Sequence, residues 1–455
     1  MEMAIDKMMM NRRSFLSRLG TGALAAVAGG MSGFPARAGE GAPAAAADVP
    51  QEPAPALPGR LIASAPVLQN AAERSMGVAF AVSADASGWV EISLSPDMSG
   101  AKKVYSGALG MMEVNDKIAQ ILVRGLRPAT RYWYRVGADR IDYQGGYRMK
   151  NLGSELDENI HSFTTLGAEN RGSFCIINDT HEVKPTLDCV FAKLAELKPA
   201  AVVWNGDAIN KSEDMDRAMR AFITPHENHT AYAADTPFMF LNGNHDFRGR
   251  FARHLERVWM FRDPAERDGR FAELGRNFVQ RVGDVALIGL ETGEDKPDDY
   301  PAFAGIFQMD RYRDLQTRWL AEAIETDAVK SAKFKVAVCH IPLYHPNWRD
   351  PKLPGCDGPI NGKCAAMTRP CALRWRPLLE KAGVNLVVGG HRHVFHCDAP
   401  DAERSWMQIV GGGCPTGPHK KGFATVLEGR VENGALRIIV HDVSNGRIAL
   451  DEKIA

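Results

Sequence analysis

Apolar runs of three or four residues recur through the second half of the chain: Phe174-Cys175-Ile176-Ile177, Ala201-Val202-Val203-Trp204, Phe238-Met239-Phe240-Leu241, Val336-Ala337-Val338 and Leu386-Val387-Val388. Uninterrupted runs of this length, closed by polar residues, read as strands buried on both faces. Between them, Leu187, Val190, Phe191, Leu194 and Leu197 share one helical face, and Leu315, Leu320 and Ile324 mark a second helix after Asp314. Earlier in the chain the period falls to two: Val78, Phe80 and Val82 share one face, as do Val90, Ile92 and Leu94. Residues 59–166 are therefore expected to form an all-β sandwich. Residues 167–455 are expected to form an α/β domain that ends in alternating strands, with hairpin signals at Asn433-Gly434 and Asn445-Gly446. A chain of 455 residues exceeds the size at which single cores stop growing, which favours two domains.

Charge excludes one class of partner. The chain balances 55 Lys+Arg against 55 Asp+Glu, so no electrostatic footprint for nucleic acid or an anionic membrane is present. At the N-terminus, Asn11-Arg12-Arg13-Ser14-Phe15-Leu16 precedes a weakly apolar Ala/Gly stretch from Leu19 to Phe34 and then Ala36-Arg37-Ala38. This resembles a twin-arginine signal over residues 1–38, and implies the twin-arginine translocase as a partner during export and a periplasmic or secreted destination. Residues 39–58 are rich in Ala and Pro and read as a tether. No later run approaches the roughly 18 apolar residues of a membrane span, so stable membrane insertion is not expected.

Chemistry concentrates where the apolar runs stop. Asp179-Thr180-His181, Gly206-Asp207, Gly243-Asn244-His245-Asp246, His340 and Gly390-His391-Arg392-His393 each follow a predicted strand. Strand C-terminal ends are where open α/β sheets place active sites. Paired divalent ions about 3.5–4 Å apart need a shared anionic bridge and oxygen or nitrogen ligands, and Asp207 is read as the bridge.

The order D-x-H, G-D, G-N-H-D, H, G-H-x-H resembles the calcineurin-like metallophosphoesterase superfamily over about residues 170 to 455. The resemblance implies a four-layer αββα sandwich with two mixed sheets. It also implies that Asp179, His181 and His393 complete a first metal site around Asp207, and Asn244, His340 and His391 a second. The ions would be Fe, Mn or Zn. His245 would be the general acid, with Asp246 orienting its imidazole. In such sites a metal-bridging water, acidified from about 15.7 towards about 7, attacks phosphorus in line.

Leu126-Arg127-Pro128-Ala129-Thr130-Arg131-Tyr132-Trp133-Tyr134-Arg135-Val136 resembles the corner of fibronectin type III domains in which a Tyr hydroxyl bonds back to the backbone. Tyr132 is the candidate. The resemblance implies a packing and positioning domain like the N-terminal domain of purple acid phosphatases, with adhesion or glycan contact as the alternative. The metal blocks depart from those enzymes, because Asn210 stands where they carry the iron-binding Tyr and His181 where they carry Gly. Ferric iron is therefore not carried over.

Other residues read as background. His226, His229, His254, His345, His396 and His419 lie outside the blocks, with His229 and His345 the likeliest of them to line a pocket. Arg248 and Arg250 read as a solvated loop, or else as holders of a substrate phosphate. Cys175 and Cys339 fall in core strands, while Cys356, Cys364 and Cys371 sit in a long insertion, Leu343 to about Arg374, that one disulfide would pin near the site. The expected function is an exported dinuclear phosphoesterase acting on a small-molecule phosphomonoester. Phosphodiesters or nucleotides are the alternative substrates, and a catalytically lapsed cell-surface binding protein is the alternative from another class.

Overall fold

The computed structural model describes residues 59–144, 147–225, 231–263, 267–345 and 364–454. The expected leader over 1–38, the linker over 39–58, His226, His229 and Cys356 lie outside the described residues.

Alternation along the short apolar runs builds the layers. Ile176, Val203, Met239 and Leu241 point into one buried cluster with Leu287, Val336, Val338, Leu386 and Val388. Their neighbours Cys175, Ile177, Val202, Trp204, Phe238 and Phe240 face the other way, onto Leu187, Val190, Phe191 and Leu194 of the helix Lys184–Leu197 and onto Phe222 of the helix Met215–Phe222. On the second sheet Ile288, Leu290, Ala337, Cys339 and Val387 pack against Leu320, Ile324, Trp375 and Leu379, supplied by the segments around the helices Met309–Ala323 and Cys364–Ala382. The order is helix, sheet, sheet, helix. Because both faces of each sheet are covered, the strands have no polar face and read as unbroken apolar runs.

The first sheet has nine strands, in the order Arg447–Ile454, Ala435–Asp442, Thr425–Glu432, Phe174–Ile177, Ala201–Asn205, Phe238–Leu241, Val67–Gln69, Ser75–Ala81 and Ile118–Arg124. The second has six, Phe278–Val282, Val285–Leu290, Phe334–Cys339, Leu386–Gly389, Met407–Val410 and His396–Asp398. Both are mixed, parallel at the centre and antiparallel towards an edge.

The N-terminal strands differ from a self-contained sandwich. Ala86–Ser93, Arg131–Tyr143, His161–Thr164, Lys102–Tyr105 and Met149–Leu156 form a five-stranded sheet, and the Tyr132 hydroxyl accepts from the Arg127 amide at 2.9 Å, the contact anticipated for it. The strands that pack against this sheet, however, continue the nine-stranded one. Gln69 pairs parallel with Phe238, and the Asn70 amide donates to the Phe238 carbonyl at 2.7 Å. Val78, Phe80, Val90 and Ile92 share one cluster with Ile176 and Val338. The boundary expected at 166/167 therefore does not divide two cores. An edge strand's open amides are satisfied here by a neighbouring strand, not by solvent. Leu94 lies past its strand and is half exposed.

Other expectations also shift. The helix placed after Asp314 begins at Met309, because the Asp298 carboxylate, 11 residues upstream, accepts from the Met309 amide at 2.8 Å and caps it. The hairpin at Asn433 (φ 51°) and Gly434 (φ 77°) has the paired positive φ of a two-residue turn. At Asn445-Gly446 the loop is longer, with the Asp442 carboxylate accepting from the Asn445 amide at 3.1 Å. Of the insertion after Leu343, residues 346–363 are outside the described residues, and from Cys364 the chain is helical. Cys371 is a free, buried thiol, as are Cys175 and Cys339. No helix among the described residues is long and apolar enough to cross a membrane.

Candidate metal centre

Register brings the polar blocks together. Ile177 lies beside Trp204 and Asn205 beside Leu241, so the loops after these parallel strands leave from one edge. In the other sheet Leu290 is level with Cys339, and Val338 with Val388. Two asparagines stitch the edges: Asn205 donates to the Cys339 carbonyl at 3.1 Å and Asn178 to the Gly412 carbonyl at 2.9 Å.

All seven residues expected as ligands reach this seam. Asp179, His181, Asp207 and His393 each place a ligand atom within 4.8 Å of the others, and so do Asp207, His340 and His391, with Asp207 common to both groups. Asn244 Oδ1 lies 2.9 Å from His391 Nδ1. The backbone is bent to achieve this. Asp179 (φ 51°), His181 (47°), Asp207 (51°), His391 (69°) and His393 (59°) all sit in the left-handed region, which costs a non-glycine residue about 1–3 kcal/mol and clusters at functional sites. Glycine makes room beside them. A Cβ on Gly243 would come within 2.2 Å of Asp207 Oδ1, and one on Gly206 (φ 81°) within 2.5 Å of His340 Nδ1.

Hydrogen bonds fix which imidazole nitrogen faces inward. Nδ1 of His340 meets the Asn205 carbonyl at 2.8 Å, Nδ1 of His393 the His419 carbonyl at 3.0 Å, and Nδ1 of His181 the Asn210 Oδ1 at 3.0 Å. An oxygen there can only accept, so each Nδ1 carries a proton and each Nε2 is the nitrogen left facing the centre. Nε2 of His181 and Nε2 of His393 then face each other at 3.0 Å, so a proton shared between the two rings or a cation beside both must occupy the gap. Nearby, Asp179 Oδ1 and His340 Nε2 are buried without a hydrogen-bond partner. Such orphaned ligand atoms fit a divalent ion.

The electrostatics agree. Burial disfavours charge on His340, yet Asp207 and Asp179 beside it push the imidazole up to about 10. Asp179, despite its burial, is drawn down to about 2 by His393 and His340. Burial and the neighbouring His340 hold His391 down to about 4, a neutral ring suited to ligation. The carboxylates thus draw positive charge onto the nitrogens facing them, and the same field retains a cation.

Asp246 corrects one expectation. Its carboxylate does not orient the His245 ring but accepts from the amides of Asp207 and Gly243, both at 2.7 Å, and of Ile209 at 3.1 Å, clamping two site loops together. Burial and Asp207 push it up to about 8 against the pull of those amides. The orienting group is the Asn210 carbonyl, 3.1 Å from His245 Nδ1, while His245 Nε2 faces Arg248 Nη1 at 3.2 Å.

Four residues at the site were read as background or not singled out from the sequence. Arg248 is no solvated loop residue, because Glu294 grips it with two bonds of 2.9 and 2.8 Å and Asp295 with one of 3.0 Å. Glu294 and Asp295 come after the apolar strand Val285–Leu290, beyond Glu291-Thr292-Gly293. His419 reaches the site from a loop, its ring 4.1 Å from that of His181. His396, by contrast, is exposed and pairs with Asp398.

Residues 172–395, a span that holds every candidate ligand, match the family model described as calcineurin-like phosphoesterase. No curated protein matches the chain. Among solved structures, the purple acid phosphatase PPD1 from yellow lupin (Lupinus luteus) seeds shares the fold over 87% of this chain and 75% of its own, at 14% identity and a TM-score of 0.59. Yfce, a phosphoesterase from E. coli, aligns over 62% of this chain and 100% of its own, at 11% identity and a TM-score of 0.29.

Proposed function

Taking the chain as a phosphoester hydrolase with a calcineurin-like catalytic domain, we propose that it is an exported enzyme that holds two divalent ions and hydrolyses phosphomonoesters. The observation that carries the reading is the pair of buried ligand groups joined through Asp207. Asp179, His181, Asp207 and His393 would hold one ion, and Asp207, Asn244, His340 and His391 the other. This carboxylate, amide and imidazole set suits Fe, Mn or Zn. Bound there, the ions would supply an acidified water as nucleophile and neutralise charge on the phosphoryl oxygens.

The chain's own groups orient and protonate. Asn205, Asn210 and the His419 carbonyl hold three imidazoles in the ligand tautomer. His245 is the candidate proton donor to the leaving oxygen. To donate, its Nε2 must carry a proton and Arg248 Nη1 must turn to another acceptor; a phosphoryl oxygen is the acceptor the reaction brings. Export is supported by Arg12-Arg13 and the apolar stretch that follows them.

The test is to strip the chain from residue 39 onward of metal, reload it with manganese, zinc or ferrous iron, and assay nitrophenyl phosphate, bis-nitrophenyl phosphate and nucleotides. Metal-dependent turnover, fastest on the monoester, is expected. His245→Ala should slow it by about 10²- to 10⁴-fold, more for alkyl than for nitrophenyl esters, since a good leaving group needs less protonation. No turnover with any metal would overturn the reading, and a preference for diesters or nucleotides would move it to those substrates.

A further inference from the structure

In that scheme His419 contributes only its carbonyl. Its side chain is half-buried and lies flat on the His181 ring, with centroids 4.1 Å apart and planes at 15°, and edge-on to His245 at 5.2 Å. One of its ring nitrogens is within 4.8 Å of ligand atoms of both His181 and His245. It stands outside the group of Asp179, His181, Asp207 and His393, and so lies beside that centre on the side of His245. Among the described residues, neither ring nitrogen of His419 takes a hydrogen bond, because only its carbonyl is engaged.

The loop that carries this ring is tied at two points. The Cys414 thiol donates to the carbonyls of Asp179 and Thr180 at 3.2 and 3.3 Å, and His393 Nδ1 donates to the His419 carbonyl at 3.0 Å. Gly417 makes the turn between them with φ 78°. The ring is therefore placed by the same segments that place the candidate ligands, and an imidazole N–H without a partner is presented beside the centre.

We infer that His419 is a substrate-binding residue, whose ring N–H, beside His245, holds one non-bridging phosphoryl oxygen and favours monoesters over diesters. A His419 ring nitrogen stands within 4.8 Å of one on His245, so a phosphoryl group whose leaving oxygen meets His245 can offer His419 a non-bridging oxygen at the usual hydrogen-bond distance of about 2.7–3.0 Å. A phosphomonoester has three non-bridging oxygens and carries a charge of about −1.5 to −2 at neutral pH. A diester has only two such oxygens, and the third is the one for which an additional donor matters. The inference rests on phosphoester hydrolysis at this centre.

The experiment compares wild type, His419→Ala and His419→Gln, all loaded with metal. Metal content is read by elemental analysis, orthophosphate binding by calorimetry, and KM and kcat on nitrophenyl phosphate and bis-nitrophenyl phosphate. His419→Ala should keep its metals, weaken orthophosphate by about 10- to 100-fold, as loss of a hydrogen bond to a charged group does, raise KM for the monoester in step, and leave the diester little changed. His419→Gln, which keeps an N–H donor, should recover part of the loss. Unchanged orthophosphate affinity in His419→Ala would overturn the inference, as would loss of metal, which would make the residue a ligand. A wild type that binds no orthophosphate and turns over neither ester would overturn the underlying reading of the centre itself.

Discussion

Replacing Asp246 with alanine would remove the acceptor of three buried amides. Oδ2 serves Asp207 and Gly243, and Oδ1 serves Ile209. Each buried donor left without a partner costs about 1–3 kcal/mol, so the three together cost about 3–9 kcal/mol. That is a large part of the roughly 5–15 kcal/mol by which a native protein is stable. Asp246→Asn should be milder. Its amide oxygen can take the place of Oδ2 and serve Asp207 and Gly243, leaving an amino group against the Ile209 amide and a loss of about 1–3 kcal/mol. Thermal melting of the metal-loaded and metal-stripped variants, with elemental analysis, measures both. The expected order of melting temperature is wild type, then Asn, then Ala, with Ala strongly destabilised and poor in metal because Asp207 and Gly243 lose their clamp. If Asp246→Ala melted with wild type, kept its metals and lost only kcat, the amide count would be refuted and the carboxylate would be acting on His245 after all.

Three further outcomes are expected. Asp207→Asn should lower metal content at both sites and abolish turnover, whereas His181→Ala should deplete chiefly one site; two tightly bound metals and near-normal activity in Asp207→Asn would contradict the bridging role. The iron-loaded, oxidised protein should show no intense visible band, because Asn210 hydrogen-bonds His181 and the half-buried Tyr232 has its hydroxyl on the Phe222 carbonyl at 2.7 Å; a purple spectrum would contradict this. His340 is protonated below about 10, so an ion must displace that proton at neutral pH, and affinity should climb as pH rises towards that value. Calorimetry in buffers of different ionisation enthalpy reads the protons released, and a count of zero would refute the assignment of His340.

The layers and the convergence of the candidate ligands were legible for physical reasons. Strands covered on both faces show as apolar runs, and the polar blocks follow them directly, because a tight turn at the strand end holds Asp179, Asp207 and His391 at positive φ. What stayed hidden depended on tertiary placement. Asp246 is adjacent to His245 in the chain, but on a tight loop consecutive side chains point apart, and the amides of Asp207 and Ile209 claimed it. His419 lies 26 residues beyond His393, and nothing local marks its return to the seam. Glu294 and Asp295 come after a strand, but Glu291-Thr292-Gly293 separates them from Leu290, so the apolar run does not end directly on them. The pairing of Val67–Gln69 with Phe238–Leu241 across residue 166 was hidden because period-two patterning shows which face of a strand is buried and is silent about which strand lies at its side.

Val67–Gln69, inserted beside Phe238–Leu241, also sets how the protein can be cut. A shortened version starting near residue 167 would not be a minimal enzyme. It would leave the strand that leads into Gly243-Asn244 as an open edge, with the backbone carbonyls of Ala233 and Phe238, now engaged by Leu68 and Asn70, facing water or another molecule. Open, apolar edges of this kind recruit further strands, so such a fragment is a candidate for aggregation. The N-terminal strands act as a built-in cover for the sheet that positions the candidate metal ligands.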